Sequence, residues 1–342
     1  MSESRFFHIA AGRGIRRVSS LGEALASRKQ GGYVWIDLVA PARRDMEAVA
    51  GPLGIHPLAV EDCLDEDQVP KIEDYPGHTL ILFNRYTYAD REIAVEEVDF
   101  LQGKDFLVTV SGAGGCGHGA FDTLEALASL DLANVEKGPD FLLHVTLDHT
   151  VDAKLTTIEA LEDDIETAEE GMLEGADTFR LEHLVSLRRA LLSLRKSLFH
   201  EREILVKICR KDSPFISEAA IYHFRDIYDH LTKFFEFTEM NRDILTSLTE
   251  TYLSLVNNRM AEVANRTNRS VRRLTLITTV FMPLTLLAGI GGMSEWSMMT
   301  GPANWRLAYP LFIAGLVVIG ALNYGWLRRV ERKRGERSGG RP

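Results

Sequence analysis

The 342-residue sequence has few cysteines and no pattern typical of a disulfide-rich protein. Cys63, Cys116 and Cys209 are widely spaced and form no Cys-x-x-Cys pair. This spacing favours reduced thiols in a cytosolic domain over a disulfide framework. The first residues also lack an apolar stretch of signal-peptide length, so we expect no cleaved leader. Insertion into a membrane would then rely on apolar segments near the C-terminus.

Basic residues are too few for a nucleic-acid-binding protein. The chain has 39 Lys and Arg against 49 Asp and Glu, and its formal net charge is −10. A nucleic-acid partner is therefore not expected. Acid is concentrated in Leu161–Glu170, where six of ten residues are Asp or Glu. We interpret this run as a solvated helix face, with weak collection of cations as the alternative.

Catalytic signatures are missing. The sequence contains no His-Glu-x-x-His, Walker A or Gly-x-Ser-x-Gly motif, so no enzyme is predicted. Gly112, Gly114 and Gly117 have the spacing of a dinucleotide fingerprint, but no following strand ends in an acid. A flexible connection is the favoured reading of this loop. Nucleotide binding, or a soft metal on Cys116 and His118, are the alternatives.

Two long apolar runs near the C-terminus contain no charged residue. Leu274–Met293 has 20 residues and Leu307–Leu327 has 21, enough for each to cross about 30 Å of hydrocarbon as a helix. A pair of buried core helices is the alternative. Arginines precede the first run and dominate the tail after the second, which places both termini in the cytoplasm by the positive-inside tendency. The flanking aromatic residues at the two interfaces are Trp296, Trp305 and Trp326.

Residues 1–140 alternate strand-like and helical runs, which predicts a cytoplasmic α/β domain. The strand-like runs are Tyr33–Leu38, Thr79–Phe83, Val98–Leu101 and Asp105–Val110. The helical runs are Arg43–Leu53 and Leu58–Leu64, with Pro41 and Pro57 placed where a helix start tolerates proline.

The remaining chain is predicted to be helical. Residues 141–214 form an antiparallel pair of helices, with a turn at Gly171–Gly175. Phe215–Met282 contains no Gly or Pro over 68 residues, so one helix of about 100 Å would run into the first apolar run. Such length favours a bundled stalk. The predicted segments are a stalk at 215–273, spans at 274–293 and 307–327, an outer loop at 294–306 and a basic tail at 328–342.

The membrane segment resembles that of CorA-type divalent-cation transporters. The resemblance is carried by Thr275–Ile290, which contains Phe281-Met282-Pro283-Leu284-Thr285, and by Gly291–Ser294. Further stretches resemble the family's cytoplasmic domain and stalk: Ile55–Leu58, Glu61–Asp62, Pro70–Glu73, Phe106–Val110 and Phe224–His230. The resemblance implies a funnel-shaped homopentamer in the inner membrane. In it, the long helix and first span line the pore and the second span forms an outer ring.

The loop after the first span departs from the family motif Gly-Met-Asn. Here it reads Gly292-Met293-Ser294, followed by Glu295. The resemblance implies that this loop forms the selectivity mouth, where a ring of acceptors contacts the water shell of magnesium. Serine can accept a hydrogen bond but is shorter and can also donate. We therefore expect an altered or weakened magnesium preference, unless Ser294 only caps the loop.

The resemblance also assigns a pore-facing stripe without ionisable groups. Its residues are Asn268, Val271, Leu274, Met282, Thr285 and Gly289. Apolar rings at Leu274 or Met282 would stop ions by dewetting, and polar rings at Asn268 and Thr285 would hold a hydrated cation. Taken without the resemblance, such a stripe is ordinary helix packing. Glu250 matches an acidic ring lower in the pore, although its separation from Asn268 is longer than in the family.

Asp62 and Asp226 match the family's inter-subunit metal site. A bound magnesium would neutralise carboxylates of neighbouring subunits and hold the closed state, giving feedback from internal magnesium. The alternative is that Asp62 caps a helix and Asp226 pairs with Arg225 or His230.

The sequence thus predicts a transporter or channel for divalent metal cations, with magnesium as cargo and regulator, and cobalt or nickel as further cargo. Two alternatives remain open. One is a zinc transporter of the same superfamily, whose members carry a different mouth motif. The other is a membrane sensor on the same scaffold that transports nothing.

Overall fold

In the computed structural model, the described residues are 3–65, 68–89, 91–112, 128–129, 131–175, 179–292, 301 and 304–338. Contacts divide the chain into two compact units, Met1–Leu253 and Ser254–Pro342. The first unit is an α/β domain with long helices, and the second is helical.

The first unit contains a seven-stranded sheet in the order β2-β1-β3-β7-β6-β5-β4. Only β3 and β7 are parallel neighbours, and the other pairs of adjacent strands are antiparallel. The strands are β1 (Glu3–Ala10), β2 (Gly14–Val18), β3 (Tyr33–Val39), β4 (Lys71–Tyr75), β5 (His78–Ala89), β6 (Glu92–Gln102) and β7 (Phe106–Ser111). The α/β class predicted from sequence is confirmed, and β1, β2 and β4 are additions to the predicted strands.

Three short helices cover one face of this sheet: α1 (Leu21–Arg28), α2 (Arg43–Leu53) and α3 (Pro57–Asp62). Their apolar side chains form one buried cluster with Ile36 and Leu38 of β3. The sequence sets the helix ends locally. The Ser20 side chain accepts from the N–H of Glu23 at the start of α1, and Gly54 ends α2 with φ 71°, a conformation that favours glycine.

Among the described residues, the helices that follow the sheet within or from the first unit are α4 (Leu132–Val135), α5 (Pro139–Glu174), α6 (Leu181–Cys209) and α7 (Glu218–Gly291). The predicted turn at Gly171–Gly175 is misplaced, because α5 continues through Gly171 to Glu174. A glycine inside a helix costs about 1 kcal/mol relative to alanine. Burial of the adjacent Met172, which is 1% exposed, offsets that cost.

Helix α7 buries an apolar face within the first unit along its early turns. Buried positions recur every three or four residues from Ala220 and Phe224 to Leu245 and Leu248, as expected for one face of a helix. The helix is longer than the stretch free of Gly and Pro, because it continues past Pro283 to Gly291.

A buried ion pair connects the sheet to α5 and α6. Lys154 and Glu201 are both 0% exposed, and their Nζ and Oε1 atoms are 3.0 Å apart. Lys154 also donates to the backbone carbonyl of Asn84 on β5. Glu201 Oε1 accepts from the Asn84 backbone N–H at 3.1 Å and from the Ser197 hydroxyl at 3.0 Å. One carboxylate oxygen thus joins a strand and two helices.

The acidic run on α5 is only partly a solvated face, which corrects the sequence interpretation. Asp164 accepts a hydrogen bond from the Tyr88 hydroxyl at 2.6 Å and contacts His183 Nε2 at 3.0 Å. Glu162 accepts from the Asn241 amide at 2.8 Å. These carboxylates therefore connect α5 to β5, α6 and α7, whereas Asp163 and Glu166 are exposed.

The second unit contains the end of α7 and helix α8 (Trp305–Ser338). Each carries an apolar window long enough to cross a membrane, with mean hydropathy 1.9 and 1.8. These windows are 0% and 6% buried within the chain. A soluble protein would bury helices of this composition, so their exposure favours the membrane interpretation over the core-helix alternative.

We predict that Lys154→Met destabilises the first unit by about 3 to 5 kcal/mol, because Glu201 would remain buried as an unpaired charge. The double variant Lys154→Met/Glu201→Gln should recover most of that loss, since glutamine still accepts from Asn84 and Ser197. Urea unfolding of the detergent-solubilised protein measures both effects. Lys211→Met is the control, because the Lys211–Glu218 pair is exposed and solvent screens it, so its loss should change stability far less. Equal losses for Lys154→Met and Lys211→Met would contradict this account.

Candidate metal centre and pore-lining helix

Asp62 is the last residue of α3 and already has partners within its own chain. Its Oδ2 atom is 2.8 Å from Lys71 Nζ, and its Oδ1 atom accepts from the Gln68 amide at 3.1 Å. Lys71 lies 3.4 Å from Glu73 as well. The Asp62 side chain remains 20% exposed, so a ligand can still reach it.

Asp226 lies on α7, and its carboxylate makes no hydrogen bond or ion pair with another residue in the described part of the chain. The pairing with Arg225 or His230 that sequence left open is therefore not seen. Arg225 lies over the ring of Tyr222 instead, 5.9 Å from its centroid. The Asp226 carboxylate repels Asp148 on α5.

A cluster that sequence reasoning missed lies on the same two helices. Potential ligand atoms of Asp148, Asp152 and His230 all lie within 4.8 Å of one another. Among the described residues it is the only group of three or more His, Cys, Asp or Glu side chains this close, and it contains neither Asp62 nor Asp226. Burial raises the pKa of Asp148, and repulsion from Asp152 raises it further.

The donor set of this region fits a divalent cation. Carboxylate oxygens suit magnesium, whereas an imidazole such as that of His230 also suits cobalt, nickel or zinc. Repulsion among carboxylates is the electrostatic state that a bound cation would relieve. The sequence contains one signal for this cluster, namely two pairs of possible ligands spaced four residues apart: Asp148 with Asp152, and Asp226 with His230. It becomes informative only once α5 and α7 are known to bring these pairs together.

The predicted pore stripe lies on α7 and is exposed on the single chain. Val271, Leu274 and Met282 are 55%, 65% and 72% exposed, and Asn268, Thr285 and Gly289 are exposed too. The Thr285 hydroxyl donates to the Phe281 carbonyl at 2.8 Å. Its proton is therefore engaged within the helix, which leaves the oxygen lone pairs as acceptors. Glu250 is also exposed on α7.

The predicted mouth is described only at its first residue. The Gly292 N–H donates to the Ala288 carbonyl at 3.0 Å, which extends the helical i to i−4 bonding one residue beyond the end of α7. Met293, Ser294 and Glu295 lie outside the described residues, as do Trp296, Cys116 and His118.

A second group of titratable side chains lies inside the α/β domain, on β6 and at the residue that follows α3. Burial raises the pKa of Asp99 well above its usual range, and the nearby Glu97 carboxylate raises it further. Burial likewise raises the pKa of Glu97 to about 7. The Cys63 thiol is fully buried beside Asp99, and burial raises its pKa too. These shifts of pKa favour the protonated forms of Glu97 and Asp99.

A cavity of about 300 Å³ adjoins this group. Asp65, Glu97, Asp99 and Lys196 contribute to its lining. Asp99 is 3% exposed, and its Oδ1 atom has no hydrogen-bond partner among the described residues. The space is large enough for several water molecules, which would solvate this carboxyl group.

Comparison with known proteins identifies the class of this fold. The sequence model of the family described as CorA-like Mg²⁺ transporter protein matches residues 30–329. The cobalt/magnesium transport protein CorA of Thermotoga maritima is 30% identical over 310 residues, covering 90% of this chain and 85% of that protein. The chain belongs to the CorA-like Mg²⁺ transporter family.

Solved structures agree on the fold. The complete structure of the CorA magnesium transporter from Methanocaldococcus jannaschii gives a TM-score of 0.69 at 24% identity, covering 95% of this chain and 97% of that one. The ZntB cytoplasmic domain from Vibrio parahaemolyticus gives 0.58 at 9% identity, covering 74% and 98%. Both likenesses show the fold alone, so the second does not favour zinc. Members of this family are transporters and not enzymes, as the sequence predicted.

We predict that Glu97 makes the stability of the first unit fall as pH rises. Its pKa is about 7 in the folded state against an ordinary value of 4.5. The stabilising effect of the proton is thus complete below pH 4.5 and lost as pH rises through 7. Because the side chain is partly exposed, we expect a difference of about 1 to 2 kcal/mol.

The measurement is the thermal unfolding midpoint of wild type minus that of Glu97→Gln, from pH 4.5 to 8. This difference should decline with pH. Glu92→Gln, at the exposed start of β6, is the matched control. The difference between the unfolding midpoints of wild type and Glu92→Gln should not change over this pH range. A difference that stays flat for Glu97→Gln would show that Glu97 titrates as an ordinary carboxyl.

Proposed function

We propose that copies of this chain form a pore that passes divalent cations across the inner membrane, with magnesium as the principal cargo and cobalt or nickel as further cargo. The observation that carries the proposal is the stripe on α7 from Asn268 to Gly289. It is exposed on the single chain, lies in a membrane-length helix and contains no ionisable side chain. Such a surface needs either lipid or other copies of the chain against it.

The proposed assembly is a homopentamer with α7 around the axis and α8 outside. It rests on the family resemblance, supported by the 0% and 6% burial of the two apolar windows. The arginines Arg272 and Arg273 before the first span and the basic tail would lie at the cytoplasmic face, with both termini inside.

Passage along this stripe depends on alternating polar and apolar rings. Asn268 and the Thr285 hydroxyl oxygen offer acceptors to the water shell of a cation, which magnesium gives up reluctantly. Leu274 and Met282 offer no acceptor, so rings of these side chains would close the pore by dewetting when the helices are close. Glu250 would add an acidic ring that attracts cations below them.

Regulation by internal metal would act through Asp62 and Asp226. The Asp226 carboxylate makes no hydrogen bond or ion pair among the described residues, and Asp226 lies on the same helix as the stripe. A magnesium ion between subunits would draw these carboxylates together and favour the closed state. The nearby cluster of Asp148, Asp152 and His230 interacts with Asp226 through the charge of Asp148. Its two carboxylates would strengthen the attraction of cations to this part of α7.

The mouth is tested by competitive uptake of magnesium, cobalt, nickel and zinc into proteoliposomes. Ser294→Asn is expected to sharpen magnesium selectivity, because the longer amide offers a carbonyl acceptor to hydrated magnesium where serine offers a shorter hydroxyl. Ser294→Ala is the matched control and should weaken discrimination. An unchanged ion ranking in both variants would remove Ser294 from the mechanism, and no flux from intact wild-type oligomers would contradict transport.

The regulatory site is tested by the internal magnesium concentration that half-inhibits uptake. We expect Asp226→Asn to raise it by roughly tenfold or more, because the inter-subunit site loses a charge worth at least about 1.4 kcal/mol of binding. Asp243→Asn is the control on the same helix, since Asp243 is exposed and paired with Arg242. Equal behaviour of both variants would exclude Asp226 as a metal ligand.

A further inference from the structure

The first span contains a proline in the middle of its helix. Pro283 lies inside α7 and has no backbone N–H. In a regular α-helix the N–H of residue 283 would donate to the carbonyl of residue 279, four positions earlier. The Thr279 carbonyl therefore loses its ordinary donor. In hydrocarbon an unsatisfied backbone carbonyl costs several kcal/mol, because no water can replace the missing donor.

A side chain from the second span supplies a donor at this point. Asn323 Nδ2 donates to the Thr279 carbonyl oxygen at 3.2 Å. Asn323 lies within the uncharged stretch of α8, where a polar amide is unfavourable unless it is hydrogen-bonded. The hydroxyl of Thr279 cannot serve the same purpose, since it donates to the Thr275 carbonyl at 2.7 Å.

Two glycines bring the spans close enough for this bond. A Cβ on Gly320 of α8 would lie 3.3 Å from Leu284 Cδ1 of α7. At the other end of the hairpin, a Cβ on Gly291 would overlap the ring of Phe312. Small residues at helix contacts allow the close approach on which packing in a membrane depends. The two glycine contacts and the Asn323–Thr279 bond follow one another in antiparallel order along the two helices. Packing at the glycines, which lie nearer to the loop of the hairpin, therefore positions Asn323 opposite Thr279.

We propose that Asn323 is a positioning residue of the transport pore. Its amide replaces the donor that Pro283 removes and stabilises the first span at the point where one backbone hydrogen bond is missing. Pro283 lies next to Met282 and nine residues beyond Leu274, the two apolar rings of the proposed pore. Making or releasing this one bond changes how easily the outer part of the span moves relative to the inner part. The effect of Asn323 on transport rests on the proposed function, whereas the hydrogen bond to Thr279 does not.

The test is a double-mutant cycle between Asn323→Leu and Pro283→Ala, measured by magnesium uptake into proteoliposomes. Pro283→Ala restores the backbone donor, so the Asn323 amide becomes redundant. Asn323→Leu alone should change the uptake rate, or its half-inhibition by internal magnesium, by about threefold, the ratio for an average hydrogen bond in a membrane protein. In the Pro283→Ala background the same substitution should have almost no effect.

Two control variants separate the bond from packing. Thr279→Val removes the hydroxyl and keeps the carbonyl, so Asn323→Leu should still act in its background as in wild type. Asn323→Gln keeps an amide donor and should restore part of the wild-type uptake. Equal effects of Asn323→Leu in wild type and in the Pro283→Ala variant would overturn the proposal.

The same cycle measured by thermal unfolding in detergent keeps the hydrogen bond testable without transport. Coupling in both readouts supports the positioning role. Coupling in unfolding without coupling in uptake would reduce Asn323 to a structural residue and overturn the proposal. Wild type that passes no cation would contradict the proposed function, and the unfolding cycle would then decide the hydrogen bond alone.

Discussion

The second unit of this protein depends on one constraint, that hydrocarbon offers no partner to a backbone N–H or carbonyl group. Two uncharged runs of membrane length must therefore be helical, and each break in a helix needs a substitute partner. Pro283 removes one backbone donor from the first span, and the Asn323 amide donates to the carbonyl that is left without it. The glycines at the helix contact, which read as ordinary apolar composition in the sequence, are what make that meeting possible.

The first unit is subject to a different constraint, because it buries charged side chains and each of them needs a partner inside the protein. Lys154 and Glu201 are buried together and tie a strand to two helices through shared hydrogen bonds. Elsewhere acidic groups stay close to one another, as at Asp148 and Asp152. A divalent cation bound there would relieve the repulsion between these carboxylates, and this is the electrostatic basis of the proposed regulation by internal metal. Burial raises the pKa values of Glu97 and Asp99, which favours the protonated forms of these two side chains.

Sequence patterns predicted those parts of the fold that depend on a local period or on length. The predicted and the observed bounds of α2 are the same, and the two membrane-length runs lie on α7 and α8. Long-range pairing was out of reach. Strand β4 has the residues Lys-Ile-Glu-Asp-Tyr, which lack a clear alternation, and it becomes a strand by pairing with β5 at the sheet edge. The acids of α5 looked solvated because their partners, such as Tyr88 and Asn241, lie far away in the chain.

Candidate-site residues divide in the same way. The stripe from Asn268 to Gly289 could be named because helical spacing and the family resemblance agreed on it. Asp148, Asp152 and His230 could not, since nothing in the sequence pairs α5 with that turn of α7. Asp226 was named by resemblance, and the structure adds that it has no ion pair within the described residues of its own chain. The partners of Asp62, Lys71 and Gln68, depend on the fold of the segment after α3.

The central claim is that this chain forms a pathway for divalent cations, and its most direct test is the reversal potential of current across planar bilayers. With a tenfold magnesium gradient and equal monovalent salt on both sides, the account predicts a reversal potential of about 29 mV with the sign set by magnesium, because the permeating ion carries two charges. A current that reverses near zero, or no current from well-folded protein inserted into the bilayer, would contradict it.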